Sequence, residues 1–414
     1  MLKKALIVTV GTGTRVDVDI VRPLVKTVKD SRPDYTVFVA TESSKVHAER
    51  IAAELSLAEA AWSVRILKQF DDVETVFLEV GRVIREVLDR GFSHEHIQVD
   101  FTSGTKAMSA GAVLAAVYRN CESLKYITGE REHGVVKDGK ERFVTLCPQA
   151  VFAVRDIVTA VELVKRLRFQ PATDILHSIN ANLLTKDEVR LVESVRAVAQ
   201  AYDFWDRFEH IKFMGAIRKV DWRFHELQPF RMSEDLIKAV HRIGEVLRGP
   251  GSAVTEGVMV DLFNNAERRA MEGRYDDALA RLYRLTEMLA QYVLLTRHGI
   301  DTGNADLNKI PPGLHETMEA HRDRVDYGKI KIGLRLSYEL MAELGEEIGR
   351  RYMDDKQLSH LLNERNATIL AHGQKPVSAG LYARLKERVM DLARVEIQDL
   401  DARVKTLNFP WLVS

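Results

Sequence analysis

Five short apolar runs punctuate the first third of the chain: Leu6 to Val10, Tyr35 to Ala40, Val64 to Leu67, Ile97 to Phe101 and Leu124 to Ile127. Each is bounded by polar or glycine-containing turns, and lengths of this order predict buried strands. Between them, Val18 to Lys29, Ser44 to Leu57, Val73 to Arg90 and Lys106 to Arg119 are long enough for helices, the last carrying Met108, Val113, Leu114 and Val117. Strand and helix in alternation predict an α/β unit with a parallel, doubly wound sheet. Ligands of such sheets sit beyond the carboxyl ends of the strands, where loops lead into helix N-termini.

After Pro148 the pattern becomes helical, through Phe152 to Arg168, Ile175 to Leu184, Lys186 to Tyr202 and Met232 to Leu247. The stretch Arg248-Gly249-Pro250-Gly251-Ser252 is the strongest linker signal, because glycine and proline together stop a helix and permit a change of direction. Beyond it, Val258 to Glu272 and Tyr275 to Arg297 predict a helical hairpin about Gly273, with Leu282, Leu285, Leu289 and Tyr292 on one stripe. A glycine- and proline-containing loop, Gly299 to Gly313, leads to helices from about Leu334 to Arg351 and from Leu358 to Ala371. The expected organisation is an α/β domain at 1–150, a helical connector at 151–253 and an all-α bundle at 254–414.

Composition narrows the function classes. Sixty basic residues balance sixty acidic ones, so contact with nucleic acid requires a local patch. The two cysteines, Cys121 and Cys147, supply neither a disulfide framework nor a four-ligand zinc site, and suit a reducing compartment. No apolar run approaches the roughly 18 residues of a membrane span. The expected location is cytoplasmic, with no membrane partner.

Two loops carry candidate chemistry. The first strand ends in Gly11-Thr12-Gly13-Thr14-Arg15, the fourth in Asp100-Phe101-Thr102-Ser103-Gly104-Thr105-Lys106. Glycines admit a phosphate close to the backbone, hydroxyls donate to it, and Arg15 or Lys106 supplies charge. The plainer alternative is a pair of tight strand-to-helix turns. A dinucleotide fingerprint G-x-G-x-x-G begins at Gly11, but Val16 stands where the third glycine belongs, and Glu42 could serve as the ribose-binding acid although it lies about ten residues beyond the usual spacing of about 20. Neither loop contains G-x-x-x-x-G-K-[ST], which disfavours a Walker-type NTPase.

A third candidate lies on the expected helix Leu358 to Ala371. At about 100° per residue, Leu362, Arg365, Ile369 and His372 fall within about 40° of a line through Leu358. A guanidinium and an imidazole in an apolar stripe lose hydration unless paired or turned toward a cleft. The structural alternative pairs Arg365 with a glutamate such as Glu287 and leaves His372 to cap the helix end before Gly373.

Here the residues resemble a known family. Asp100-Phe101-Thr102-Ser103-Gly104-Thr105-Lys106-Ala107-Met108 is similar to the ligand loop of CARF domains, the Rossmann-like sensors of type III CRISPR systems, and Arg365-Asn366-Ala367-Thr368-Ile369-Leu370-Ala371-His372 resembles the R-x(4 to 6)-H motif of HEPN ribonucleases. The resemblance covers about 1–150 and 255–400. It implies a CRISPR-associated CARF–HEPN ribonuclease, activated by a cyclic oligoadenylate, with tetra-adenylate preferred over hexa-adenylate. It further implies a homodimer that grips the ring through the same loops from both subunits. On this reading Gly11, Thr12, Gly13, Thr14, Arg15, Thr102, Ser103, Gly104, Thr105 and Lys106 surround the ligand, with Thr102 or Thr105 near a ribose hydroxyl.

RNA carries its own nucleophile, the 2′-hydroxyl, so its cleavage needs proton transfer and charge stabilisation but no metal or cofactor. Arg365 would bind the scissile phosphate, His372 would exchange protons and Asn366 would orient one of them. Single-stranded RNA is the expected substrate, with a 2′,3′-cyclic phosphate as product; no stable DNA partner is expected. The family builds its site from two HEPN domains, and some CARF domains also cleave their ligand. An aromatic group, Phe204, Trp205, Phe208, Phe213, Trp222 and Phe224, reads as core or as a base-stacking surface. The rival readings are a CARF regulator whose HEPN fold only dimerises and a dinucleotide-dependent oxidoreductase.

Overall fold

The computed structural model describes residues 3–13, 20–132, 135–250, 253–323, 328–370 and 373–413. It divides into two compact units: Met1–Asp156 with Ile179–Val189, and Ile157–Ser178 with Arg190–Ser414.

In the first unit, β1 (Ala5–Val10), β2 (Tyr35–Ala40), β3 (Trp62–Ile66), β4 (Ile97–Asp100), β5 (Ser123–Glu132) and β6 (Val135–Leu146) form one sheet in the order β3-β2-β1-β4-β5-β6. Strands β1 to β5 are parallel, and β6 runs antiparallel to β5. The connecting helices are α1 (Val21–Ser31), α2 (Lys45–Glu54), α3 (Val73–Asp89) and α4 (Lys106–Tyr118).

The alternation of strand side chains builds two cores, as a sheet covered on both faces requires. Ala5 and Ile7 of β1 pack with Val37 and Val39 of β2 beneath α3 and α4. Leu6, Val8 and Val10 join Phe38 and Ala40 beneath α1 and α2. Asp72 caps α3 by accepting the Thr75 N–H at 2.7 Å.

The parallel sheet and its four helices match the expectation. Strand β6 does not appear in it, because Lys137-Asp138-Gly139-Lys140 interrupts its sequence with a turn signal. Its partner β5 extends past Ile127 through residues with no apolar signal, since ladder pairing uses the backbone.

The second unit is helical: α5 (Pro148–Lys165), α6 (Phe169–Ser178), α7 (Lys186–Asp206), α8 (His210–Ile217), α9 (Glu234–Arg248), α10 (Glu256–Met271), α11 (Tyr275–His298), α12 (His315–Ala320), α13 (Leu334–Glu343), α14 (Glu347–Asp354), α15 (Lys356–Asn366), α16 (Ala379–Glu396) and α17 (Leu400–Thr406), the first and third of which begin in the first unit. The expected break at Arg248 to Ser252 falls inside this unit, so 190–253 does not stand apart from 254–414.

Charge explains why. Arg268 of α10 is fully buried; its Nε donates to Asp206 Oδ1 of α7 at 2.7 Å, and its Nη2 lies 3.6 Å from Asp261 Oδ1. Asp206 also pairs with Arg269 and accepts from Asn265 Nδ2 at 2.8 Å. Asp261 accepts from Trp205 Nε1 at 3.0 Å and meets His210 Nε2 at 2.7 Å. The guanidinium of Arg268 rests 4.1 Å from the ring centroid of Phe409, within an aromatic cluster that includes Tyr202, Trp205, Phe213, Phe230 and Trp411. Trp205 and Phe213 are therefore core, not a stacking surface.

The helices expected from Leu334 to Arg351 are two, divided where the chain turns at Gly345 with φ +86°, a conformation that favours glycine. Helix α16 has no counterpart among the expected elements, although Leu381, Leu385, Val389 and Leu392 recur at a helical period and are buried. No helix among the described residues is long and apolar enough to cross a membrane.

Helices α3 and α4 touch through Gly111, where a Cβ would lie 2.6 Å from Val76 Cγ1. Gly111→Ala is expected to destabilise the first unit by about 1–3 kcal/mol through overpacking. Gly81→Ala, where a Cβ meets nothing within 4 Å, is expected to stabilise α3 by up to about 1 kcal/mol. Denaturant midpoints of the two variants check both signs.

Candidate functional site

Strands β1 and β4 are neighbours, yet the helices that follow them cover opposite faces of the sheet. This is the topological switch point, where the loops diverge and leave a crevice. The two candidate loops occupy it. The Gly11 N–H donates to Ser103 Oγ at 3.1 Å, and the Thr9 hydroxyl donates to the Ser103 carbonyl and, at 3.3 Å, to that of Asp100. A Cβ on Gly11 would stand 2.8 Å from Gly104 Cα, and Gly104 itself has φ +107°, so both positions require glycine.

Asp100 closes β4 with no exposure. Burial pushes its carboxyl above the usual range, opposed by hydrogen bonds from Thr102, then from Thr27, and by the charge of Lys125. Its Oδ1 accepts the Thr102 N–H at 2.7 Å. The Thr102 hydroxyl in turn accepts the Ile127 N–H at 3.0 Å, tying the loop to β5. Thr105 caps α4 by accepting from Met108 N at 3.1 Å, and its hydroxyl proton is given to the Phe70 carbonyl at 2.7 Å.

Thus Thr102 and Thr105 shape the loop through bonds within the fold. Thr12, Gly13, Gly104 and Lys106 are exposed around it. Thr14 and Arg15 lie outside the described residues.

The second candidate departs from the expected geometry. Helix α15 ends at Asn366, not Ala371, so Arg365 and Ile369 do not share one helical stripe. The chain turns instead: Thr368 N–H and Thr368 Oγ1 both donate to the Arg365 carbonyl, at 2.9 and 2.7 Å. Gly373 N–H then donates to the Thr368 carbonyl at 3.1 Å, and Lys375 N–H to that of Ala367 at 3.1 Å. A Cβ on Gly373 would lie 2.0 Å from the Ala367 carbonyl oxygen, so the turn closes only over glycine. Ile369 and Leu370 are exposed on it, and His372 lies outside the described residues.

Arg365 is half-buried and pairs with no carboxylate among the described residues. Its guanidinium sits 4.0 Å from the ring centroid of Tyr283 on α11, and its Nη1 donates to Asn366 Oδ1 at 3.3 Å. Glu287, the expected partner, pairs with Arg284 at 3.1 Å. Burial pushes the Tyr283 phenol up, Glu287 adds to the shift and Arg365 opposes it, so the ring faces the cation as a neutral phenol. Tyr283 was not legible beforehand, since nothing in its own stretch of sequence marks it. The arrangement leaves a guanidinium and a carboxamide at a helix end, able to take an anionic group.

A doubly wound sheet with paired loops at its switch point, and a helical bundle with Arg365-Asn366 at a helix end, are the features expected from the resemblance to CRISPR-associated CARF–HEPN proteins. The chain's likeness is to Csm6: residues 252–396 match the family model of the Csm6 HEPN domain. The CRISPR system endoribonuclease Csm6 of Thermus thermophilus is 27% identical over 356 residues, covering 80% of this chain and 74% of that protein. Enterococcus italicus Csm6, solved bound to cyclic hexa-2′-fluoro-hexa-dAMP, shares the fold with a TM-score of 0.60 at 14% identity, covering 98% of this chain and 99% of that one.

The raised carboxyl of Asp100 gives a pH dependence. Between its unfolded and folded pKa values the native state binds more protons than the unfolded chain, so this group's contribution to stability falls as pH rises through that window. Asp100→Asn keeps an acceptor for the Thr102 N–H and removes the titration. Its stability relative to wild type is expected to rise from acid toward neutral pH, as measured by denaturant unfolding along a pH series.

Proposed function

We propose that this protein is an endoribonuclease of type III CRISPR defence that cuts single-stranded RNA when a cyclic oligoadenylate occupies its sensor domain. The observation that carries the reading is Arg365-Asn366 at the end of α15, inside the segment matching the Csm6 HEPN domain. The relative from Thermus thermophilus is named an endoribonuclease, and the Enterococcus italicus protein was solved with a cyclic hexa-adenylate analogue.

The ligand's phosphates lie over the crevice at the switch point, against Thr12, Gly13, Ser103, Gly104 and Lys106, with Gly11 and Thr105 shaping the loops. Thr14 and Arg15 complete the set in this proposal. Tetra-adenylate is the preferred activator and hexa-adenylate the second. Two chains form a homodimer, each sensor contributing the same loops to the ring and each HEPN domain the same residues to one composite site. Activation is then a coupling free energy: the ligand binds better to the arrangement in which the HEPN sites align.

In that site Arg365 binds the scissile phosphate and stabilises the charge of the pentacoordinate state. His372, with an ordinary pKa of about 6.5, serves as base or acid at neutral pH. Asn366 orients the phosphate or the imidazole. The 2′-hydroxyl oxygen attacks phosphorus and loses its proton, the 5′-oxygen leaves with one, and the products carry a 2′,3′-cyclic phosphate and a 5′-hydroxyl, without a metal. In the sensor, Thr12, Thr14 and Lys106 could position a ribose of the ring and stabilise a leaving oxygen, and would do so equally in a sensor that leaves the ring intact.

The test incubates the protein with fluorescent single-stranded RNA in EDTA, with cyclic tetra-adenylate, cyclic hexa-adenylate or neither. Cleavage is expected with one ring only. Arg365→Ala should lower it about 10²–10³-fold, as loss of a charge-stabilising donor does, and His372→Ala about 10²–10⁴-fold. Ring binding without cleavage in either arm would instead mark a sensor whose HEPN domain only dimerises.

A further inference from the structure

Helices α15 and α16 leave a cleft of about 410 Å³ between them, lined by Lys356, His360 and Leu361 on one side and by Arg384, Glu387 and Arg388 on the other. A second cleft of about 670 Å³ adjoins it past Lys356 and Arg388, where Arg351, Lys356 and Arg388 are balanced by Asp354, Asp355 and Asp391, so the positive balance belongs to the first cleft. Buried Leu361 forms the floor, and the cations stand at the rim. Lys356 and His360 are one turn apart on α15, as Arg384 and Arg388 are on α16, so a lysine and an imidazole face two guanidinium groups.

We infer that this cleft is a binding track for the phosphodiester backbone of single-stranded RNA, leading to Arg365. The inference rests on the nuclease reading for the identity of the strand. Three fixed cations and a titratable imidazole against the single lining carboxylate, Glu387, give the first cleft a positive balance in a chain whose overall charge is zero.

The ion pairs already present do not close it. Arg384 meets Glu364 at 3.4 Å and Arg388 meets Asp355 at 3.8 Å, with the Arg384 side chain 62% exposed. Exposed pairs of this kind are worth at most about 1 kcal/mol, so phosphates can displace the carboxylates. His360 also meets Glu364, at 3.1 Å. Glu364 immediately precedes Arg365, so the track ends beside the site; a strand leaving it turns about 100° around the end of α15 to reach the guanidinium. Lys356 stands about 14 Å back along the helix axis. The track therefore holds nucleotides beyond the one being cut.

Each phosphate contact to a single strand contributes about 0.7 to the slope of log affinity against log salt. The experiment measures anisotropy of a long fluorescent single-stranded RNA with 2′-O-methyl riboses, which lacks the nucleophile, on full-length protein over a salt series. The double variant Arg384→Ala, Arg388→Ala is expected to bind more weakly and to lose about 1.4 from the slope. Arg388→Glu should weaken binding more than Arg388→Ala. Lys238→Ala, an exposed cation on α9, should keep the wild-type slope. Circular dichroism verifies that the variants are folded. Absence of binding by wild type, or a double variant with the wild-type slope, would overturn the track. Salt-dependent binding lost in the double variant, together with no cleavage of unmodified RNA under either cyclic oligoadenylate, would overturn the nuclease reading and leave the track standing.

Discussion

Arg268 keeps a full positive charge with none of its side chain in contact with solvent, and the helical unit is organised around that constraint. A buried guanidinium is tolerated only where carboxylates and acceptors surround it, and breaking such a pair typically costs about 3–5 kcal/mol. Asp206 comes from α7, Asp261 from α10 and the stacked ring of Phe409 from the end of the chain. Helices far apart in sequence are thereby held in one register, and His210 extends the network into α8. The helices between the sensor sheet and the HEPN segment are thus bound into the bundle by charge as well as by apolar packing.

The first unit depends on a constraint of a different kind, the space between two backbones. Gly11 lies so close to the Gly104 backbone that it tolerates no side chain, Gly104 itself adopts a φ that favours glycine, and Ser103 and Thr9 hold the approach with hydrogen bonds. The hydroxyl-rich loops look alike in sequence, but the structure divides their labour. Thr102 and Thr105 satisfy groups of the fold, and Thr12, Gly13 and Lys106 are left toward solvent.

The parallel sheet was legible because short, mainly apolar runs alternate with stretches long enough for helices. Strand β6 was not, since an edge strand with a turn-like Asp138-Gly139 carries no such run. The unity of 190–414 was also hidden, because Arg268 meets Asp206 across a sequence separation that no local pattern reports. Residues of the candidate loops were legible as chemistry but not as geometry: a threonine that caps α4 and one exposed to solvent have the same spelling. Arg365 could be singled out by its motif, whereas Tyr283 became visible only when α11 was set against α15.

The end of α15 at Asn366 bears on how the motif tolerates change. Were the whole segment helical, inserting or deleting one residue between the arginine and the histidine would rotate one against the other by about 100° and destroy their common direction. A turn closed over Gly373 obeys another rule: its length is a matter of loop closure, and one residue more or less alters the closure entropy only slightly. Across the described turn, Ala367 to Leu370, spacing is therefore a polymer property of the connecting chain and not a matter of helical phase.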